Sequence, residues 1–140
     1  MNDRAGAWKL VLVMMAPALM TACSVLDPRS CPSDQKAMTA ESLYFGAARP
    51  GGQVSADDWR AFLDEVVTPS FPQGLSVWQA SGQWKSAAGP IVREPSYVLS
   101  IVHESSEATD AAIAGIMSAY KSRFRQEAVL RVRSAACVSF

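Results

Sequence analysis

The sequence predicts an α+β domain with the element order β-α-β-β-α-β. Four runs carry strand character: ESLYFG at 41–46, GLSVWQASGQW at 74–84, IVREPSYVLSIVH at 91–103 and EAVLRVR at 127–133. Two stretches between them repeat apolar residues at helical spacing, and Gly- and Pro-rich segments punctuate the rest. This order is the split βαβ, or ferredoxin-like, motif, which implies a four-stranded antiparallel sheet with two helices on one face. Other α+β sheets share the same order.

Each element has a local reason. The first strand stops at Gly46, and AARPGGQ at 47–53 reads as a loop. Ser55 opens the first helix, its hydroxyl placed to cap the N–H of Asp58, with acids in the first turn to suit the helix dipole. Trp59, Phe62, Leu63 and Val66 fall at i, i+3, i+4 and i+7, and Pro69 ends the helix. Pro95, near the beginning of the third strand, fits an edge or a bulge better than a central ladder. Ser106 and Thr109 are candidate caps for the second helix, whose stripe is Ile113, Ile116, Met117, Tyr120 and Phe124. Lys121, Arg123 and Arg125 stand at its end, where cations are favoured. The last strand alternates, and in this topology it lies antiparallel beside the first.

The N-terminus reads as a targeting segment. Arg4 and Lys9 precede an apolar run, Leu10 to Met20, that is too short for a stable span of roughly 20 residues. The small residues Thr21 and Ala22 then lead directly into Cys23. Leu19-Met20-Thr21-Ala22-Cys23 resembles a bacterial lipobox, in which the cysteine thiol is acylated before cleavage; the other reading is a plain signal peptide or an uncleaved anchor. Residues 1–22 are then a lipoprotein signal peptide, 23–40 a lipidated tether and 41–140 a single domain. Ser24, rather than Asp, resembles the arrangement of outer-membrane lipoproteins. The implied place is the bacterial envelope, lipid-anchored and facing the periplasm.

The full chain has 140 residues and 13 basic against 13 acidic side chains. Removing residues 1–22, which hold Arg4, Lys9 and Asp3, leaves 118 residues with 11 basic and 12 acidic. That length supports a real core, and the balanced charge argues against nucleic acid as a partner. Two cysteines remain beyond Cys23. In an oxidising compartment Cys31 and Cys137 read as a disulfide, and the predicted topology brings the segments that carry them together. Free thiols or part of a metal site are the alternatives.

Catalytic, cofactor and metal residues are not assigned. The single histidine, His103, ends a predicted strand and reads as a strand-end or surface residue. Asp57, Asp58, Asp64 and Glu65 lie on a solvated helix face, and ARPGGQVS lacks the Lys-Ser/Thr pair of a phosphate loop. Arg93 and Glu94 read as a salt bridge or strand-end pair, with a ligand clamp as the alternative. Trp84 reads as a cap on the core rather than a surface that stacks on a partner.

Strand alternation places Leu43, Phe45, Leu75, Val77, Leu99, Ile101, Leu130 and Val132 toward the helices. Tyr44, Ser76, Trp78, Val98, Ser100, Val102, Val129 and Arg131 then face the other way. That second face is more apolar than solvation requires, unless loops or the N-terminal segment cover it. Tyr44, Trp78, Val98, Val129 and Arg131 are the candidate interaction face.

The chain resembles a family of bacterial secreted proteins and lipoproteins known as domain-of-unknown-function family 3574. The resemblance rests on Leu43-Tyr44-Phe45-Gly46, on Trp59 and Phe62 before Val67-Thr68-Pro69, and on Phe71-Pro72-Gln73-Gly74. It continues through Gly82-Gln83-Trp84, Arg93-Glu94, Ala119-Tyr120-Lys121, Arg123-Phe124, Gln126-Glu127 and Val129-Leu130-Arg131-Val132, and ends at Cys137-Val138-Ser139-Phe140. It covers residues 41–140 and implies no activity. Two functions are in view. One is a non-enzymatic module held on the membrane through Cys23, docking on a second copy or another envelope protein. The other is a small-molecule binder or enzyme with a cavity enclosed by a dimer and lined by Tyr44, Trp78 and Arg131.

Overall fold

The computed structural model describes residues 30–85, 87 and 89–140. Its sheet is built from β1 (Lys36–Gly46), β2 (Ser76–Lys85), β3 (Ile91–His103) and β4 (Val129–Val138), in the spatial order β2-β3-β1-β4 with every neighbouring pair antiparallel. Helices α1 (Ala56–Phe62) and α2 (Glu107–Phe124) supply the other layer. This is the ferredoxin-like arrangement, with β4 beside β1.

The expected first strand, 41–46, is extended by five residues at its start. Lys36 to Ala40 lie within the range read as tether, yet they pair with Ser134 to Val138 of β4, which itself runs well past Arg133. Cys31 and Cys137, with Cα atoms 5.5 Å apart, are joined by a disulfide, next to the Ala37–Cys137 rung. Cys23 lies outside the described residues.

Ser55 caps α1 in a reciprocal box with Asp58, and Ser106 caps α2 in the same way with Thr109. After Phe62 the chain makes a π-turn over Leu63–Val67, with Thr68 N–H donating to the Leu63 carbonyl at 2.8 Å. The extra residue rotates the stripe. Val67 becomes fully buried, while Leu63 and Val66 pack only at the margin. Helix α2 ends where Arg125 turns left-handed at φ 55°.

The core lies between the helices and the odd-numbered strand residues. Phe45 meets Trp59 (5.2 Å between centroids) and Tyr120 (4.6 Å), and Trp59 stacks on Tyr97 at 4.7 Å. Such pairs add about 0.5–1.5 kcal/mol each beyond their buried area. The Tyr120 hydroxyl donates to the Gly46 carbonyl at 2.9 Å, and burial pushes its pKa above the usual phenol range.

Pro95 belongs to a central strand, but it lies beyond the last rung with β1, where β3 is locally an edge as expected. Its carbonyl accepts from Ala47 N–H at 2.9 Å, so its ring nitrogen faces the side on which β1 has just ended at Gly46. The missing N–H removes no ladder bond there.

Strand β4 presents the opposite faces from those expected. Its register sets Val129 beside Phe45, Arg131 beside Leu43 and Arg133 beside Glu41, all on the helix side. Leu130 and Val132 therefore face outward and are exposed. The cause is Glu41, which shares the inward face with Leu43 and Phe45 and is 0% exposed. An unpaired buried carboxylate costs several kcal/mol, more than the ~1.5–3 kcal/mol of leaving a Leu or Val in water. Strand β4 brings in the arginines and turns its aliphatic residues out.

Candidate functional site

Two polar constellations emerge, one beneath the helices and one on the open face. The first gathers around Glu41. Arg131 donates from Nε to Glu41 Oε2 at 2.9 Å and from Nη2 to Oε1, and its other contact is Asp110 at 2.7 Å. Arg133 donates to Asp110 at 3.0 Å and stands 3.7 Å from Glu41. The hydrogen bonds that Arg131 donates to Glu41 raise the Arg131 pKa, and the one it donates to Asp110 holds that carboxylate below the usual range. His103 ends β3, as the strand-end reading has it, and is buried here rather than on the surface. Its Nδ1 lies 2.8 Å from the Glu104 carbonyl, an acceptor, so Nδ1 carries the proton. Nε2 then faces Glu41 Oε1 at 3.6 Å without a hydrogen bond. This cluster ties β1, β3, β4 and α2 together.

The open face is set by cross-strand register. Trp78, Val98, Tyr44 and Leu130 align in one row across all four strands. Trp78 is 48% exposed, Tyr44 39% and Leu130 61%, whereas Val98 between the two rings is only 1% exposed. Val102 and Val132 extend the exposed apolar surface. Of the candidate interaction residues, Tyr44 and Trp78 thus stand together and accessible, and Val98 lies beneath them. Val129 is buried in the core, and Arg131 belongs to the Glu41 cluster on the opposite side.

The next row, Ala80, Ser96 and Gly46, is small, and Gly82 follows it opposite Glu94. Small residues behind a large row leave a recess of about 290 Å3. Gly46, Gly82 and Ser96 floor it, Tyr44, Trp84 and Leu130 wall it, and Gln126 to Ala128 close one side. Glu94 Oε1 accepts from the Trp84 indole N–H at 3.0 Å, and Oε2 accepts from Ala48 N–H at 2.6 Å. A Cβ on Gly46 would lie 2.7 Å from Oε1. The Gln126 amide donates to the Ala48 carbonyl, so the backbone of Ala48 is held on both sides.

Several sequence expectations change at this recess. Glu94 does not pair with Arg93, since adjacent strand residues point to opposite faces. Trp84 is exposed on the open face and is not a core cap. Trp78 and Arg131 do not line the recess, which forms within one chain. The residues missed as a site were present as motif fragments: Gly46 in LYFG, Gly82 and Trp84 in GQW, Glu94 in RE, and Gln126 with Glu127. At the start of α1, Ser55 N–H is taken by the Asp58 carboxylate at 3.1 Å, and Asp58 N–H by the Ser55 hydroxyl at 3.1 Å. Among the described residues no group of His, Cys, Asp and Glu could hold a metal ion, and no helix is long and apolar enough to cross a membrane.

The model of the family described as "Protein of unknown function (DUF3574)" matches residues 40–140. The chain belongs to this family. No curated protein matches it. Among solved structures, it is similar to a phage SAM lyase in complex with S-methyl-5'-thioadenosine, with a TM-score of 0.58 and 13% identity over 74% of this chain and 90% of that one. The apo state of a phage SAM lyase aligns with a TM-score of 0.54, at 13% identity and the same coverage. At that identity the likeness is one of fold alone, and it agrees with the ferredoxin-like arrangement.

Proposed function

We propose that this chain is a bacterial envelope lipoprotein, anchored in the outer membrane through acylated Cys23, whose periplasm-facing domain is a non-enzymatic interaction module. Its open sheet face docks on another envelope protein or on a second copy. The row formed by Trp78, Tyr44 and Leu130 carries this reading, because three large apolar side chains from three strands stand exposed side by side. The disulfide suits an oxidising compartment. The chain's single histidine is turned inward against Glu41, away from any substrate at the surface.

Photo-crosslinking from position 78 in intact cells tests the docking. The expected product is a defined crosslink to one envelope protein or to a second copy, absent when the photoprobe is placed at Arg60 on the far side. The same adducts from both positions would refute the docking face. Radiolabelled fatty acid incorporated by the wild type and not by Cys23→Ser tests the anchor.

The recess favours a second reading, a small-molecule binder or enzyme. The fold shared with phage SAM lyases, one of which holds S-methyl-5'-thioadenosine, keeps an enzyme within that reading.

A further inference from the structure

We infer that the recess beside Gly46 is a binding site for a small organic cation of the alkylated ammonium class. This deepens the small-molecule reading and rests on it.

The recess contains two carboxylates, Glu94 and Glu127, and no Lys or Arg in its lining. Glu94 is fixed by two neutral donors, the Trp84 indole and the Ala48 amide. Those bonds orient the carboxylate and leave its negative charge uncompensated. The cations that do form ion pairs among the described residues are spent elsewhere: Lys36 on Glu104, Arg49 on Asp58, Arg60 on Asp57, Arg123 on Glu65, and Arg131 and Arg133 on Glu41 and Asp110. A fixed carboxylate in a partly apolar recess attracts a cation more strongly than one in open water.

The walls select the kind of cation. Tyr44 and Trp84 flank the floor from β1 and from the edge strand β2, with β3 between them. Aromatic faces attract cations through the ring quadrupole, and they favour ammonium groups whose alkyl substituents lower the cost of leaving water. Leu130 adds an aliphatic surface for those substituents. A bare metal ion would want several converging oxygens, and the described residues offer no such group. The volume, about 290 Å3, sits just below the usual range of ligand sites, roughly 300–1,000 Å3, which suits a compact cation.

Gly46 has a place in the same design. Its missing side chain lets the Glu94 carboxylate lie against the strand. Gly46→Ala meets only the far end of a flexible side chain, so the fold tolerates it while the carboxylate is displaced.

The test uses the full chain in a non-ionic detergent, titrated with choline, tetramethylammonium and n-butylammonium. The neutral isostere of choline, 3,3-dimethylbutan-1-ol, is the reference. Binding is read from the Trp84 indole N–H resonance, which reports on the Glu94 bond. The expected result is saturable binding of at least one cation, weakened roughly tenfold or more by Glu94→Gln and by Gly46→Ala, with the isostere weaker than choline by a similar factor. If Glu94→Gln fails to fold, Gly46→Ala and the isostere comparison on wild type still decide. Equal binding of isostere and choline would overturn the cation site and leave a small-molecule recess standing. Absence of saturable binding by all four probes up to roughly 10 mM would overturn both.

Discussion

Replacing Glu41 by alanine should be among the most destabilising single changes in this domain. The carboxylate is fully buried, and it accepts two hydrogen bonds from Arg131 with Arg133 and His103 close by. Removing one partner of a buried pair typically costs about 3–5 kcal/mol. Here Arg131 is 24% exposed and keeps Asp110 at 2.7 Å, so the lower end, about 3 kcal/mol, is expected. Glu41→Gln keeps the volume and one acceptor and should cost about 1–2 kcal/mol. The assay is equilibrium unfolding in urea with the disulfide intact. With a slope of about 1–3 kcal/mol per M, Glu41→Ala should lower the midpoint by at least about 1 M. The double variant Glu41→Leu with Arg131→Leu is the sharper test. It removes the desolvated charges together, so it should cost less than the sum of its singles, with a coupling of about 1.5–3 kcal/mol. Additive singles, or a Glu41→Ala cost below about 1 kcal/mol, would refute the view that this ion pair sets the facing of β4.

Acid should weaken the fold in a defined window. Hydrogen bonds from Ser55 hold Asp58 below its usual range, Arg131 does so for Asp110, and Lys36 for Glu104. Lowered carboxylates contribute stability above their unfolded values, near 4, and lose it as pH falls through the lower folded values. The urea midpoint should begin to fall at about pH 5 and continue to fall below about 4, and a midpoint unchanged at pH 3 would contradict this. Cys31→Ser with Cys137→Ser opens a link across 106 residues of sequence. Thermal unfolding should show a loss of about 2–4 kcal/mol, and no loss would mean that the pair contributes nothing to stability.

The element order was legible because each helix carries its own cap and stripe, and each strand its own turn signals. Ser55 with Asp58 and Ser106 with Thr109 are local sequence facts. The facing of β4 was not legible from its own alternation. In VLRVR, counting apolar residues sends Leu130 and Val132 inward. The deciding residue is Glu41, on another strand, two positions before Leu43 and therefore on the same face. Reading Glu41 as an inward carboxylate would have required inward cations, and Arg131 and Arg133 alternate to provide them. The π-turn after Phe62 escaped the helical pattern because a single inserted residue leaves no compositional mark. The recess escaped for a related reason. Gly46, Gly82 and Ser96 look unremarkable one strand at a time, and only cross-strand register sets them together behind Tyr44.

If the proposed anchor at Cys23 holds, the disulfide would set the point at which it pulls on the domain. It lies at the Ala37–Cys137 end of the sheet, and the recess lies at the opposite end, beside Gly46. Nine residues of strand separate the two poles, roughly 30 Å at the rise of an extended chain. The anchor proposed at Cys23 would stand eight residues before Cys31, a leash of at most roughly 28 Å of fully extended chain. Tension along that leash would enter the fold at the crosslink and be shared with β4 before it could unzip the start of β1. With that anchor, the chain would be held at the pole opposite the recess.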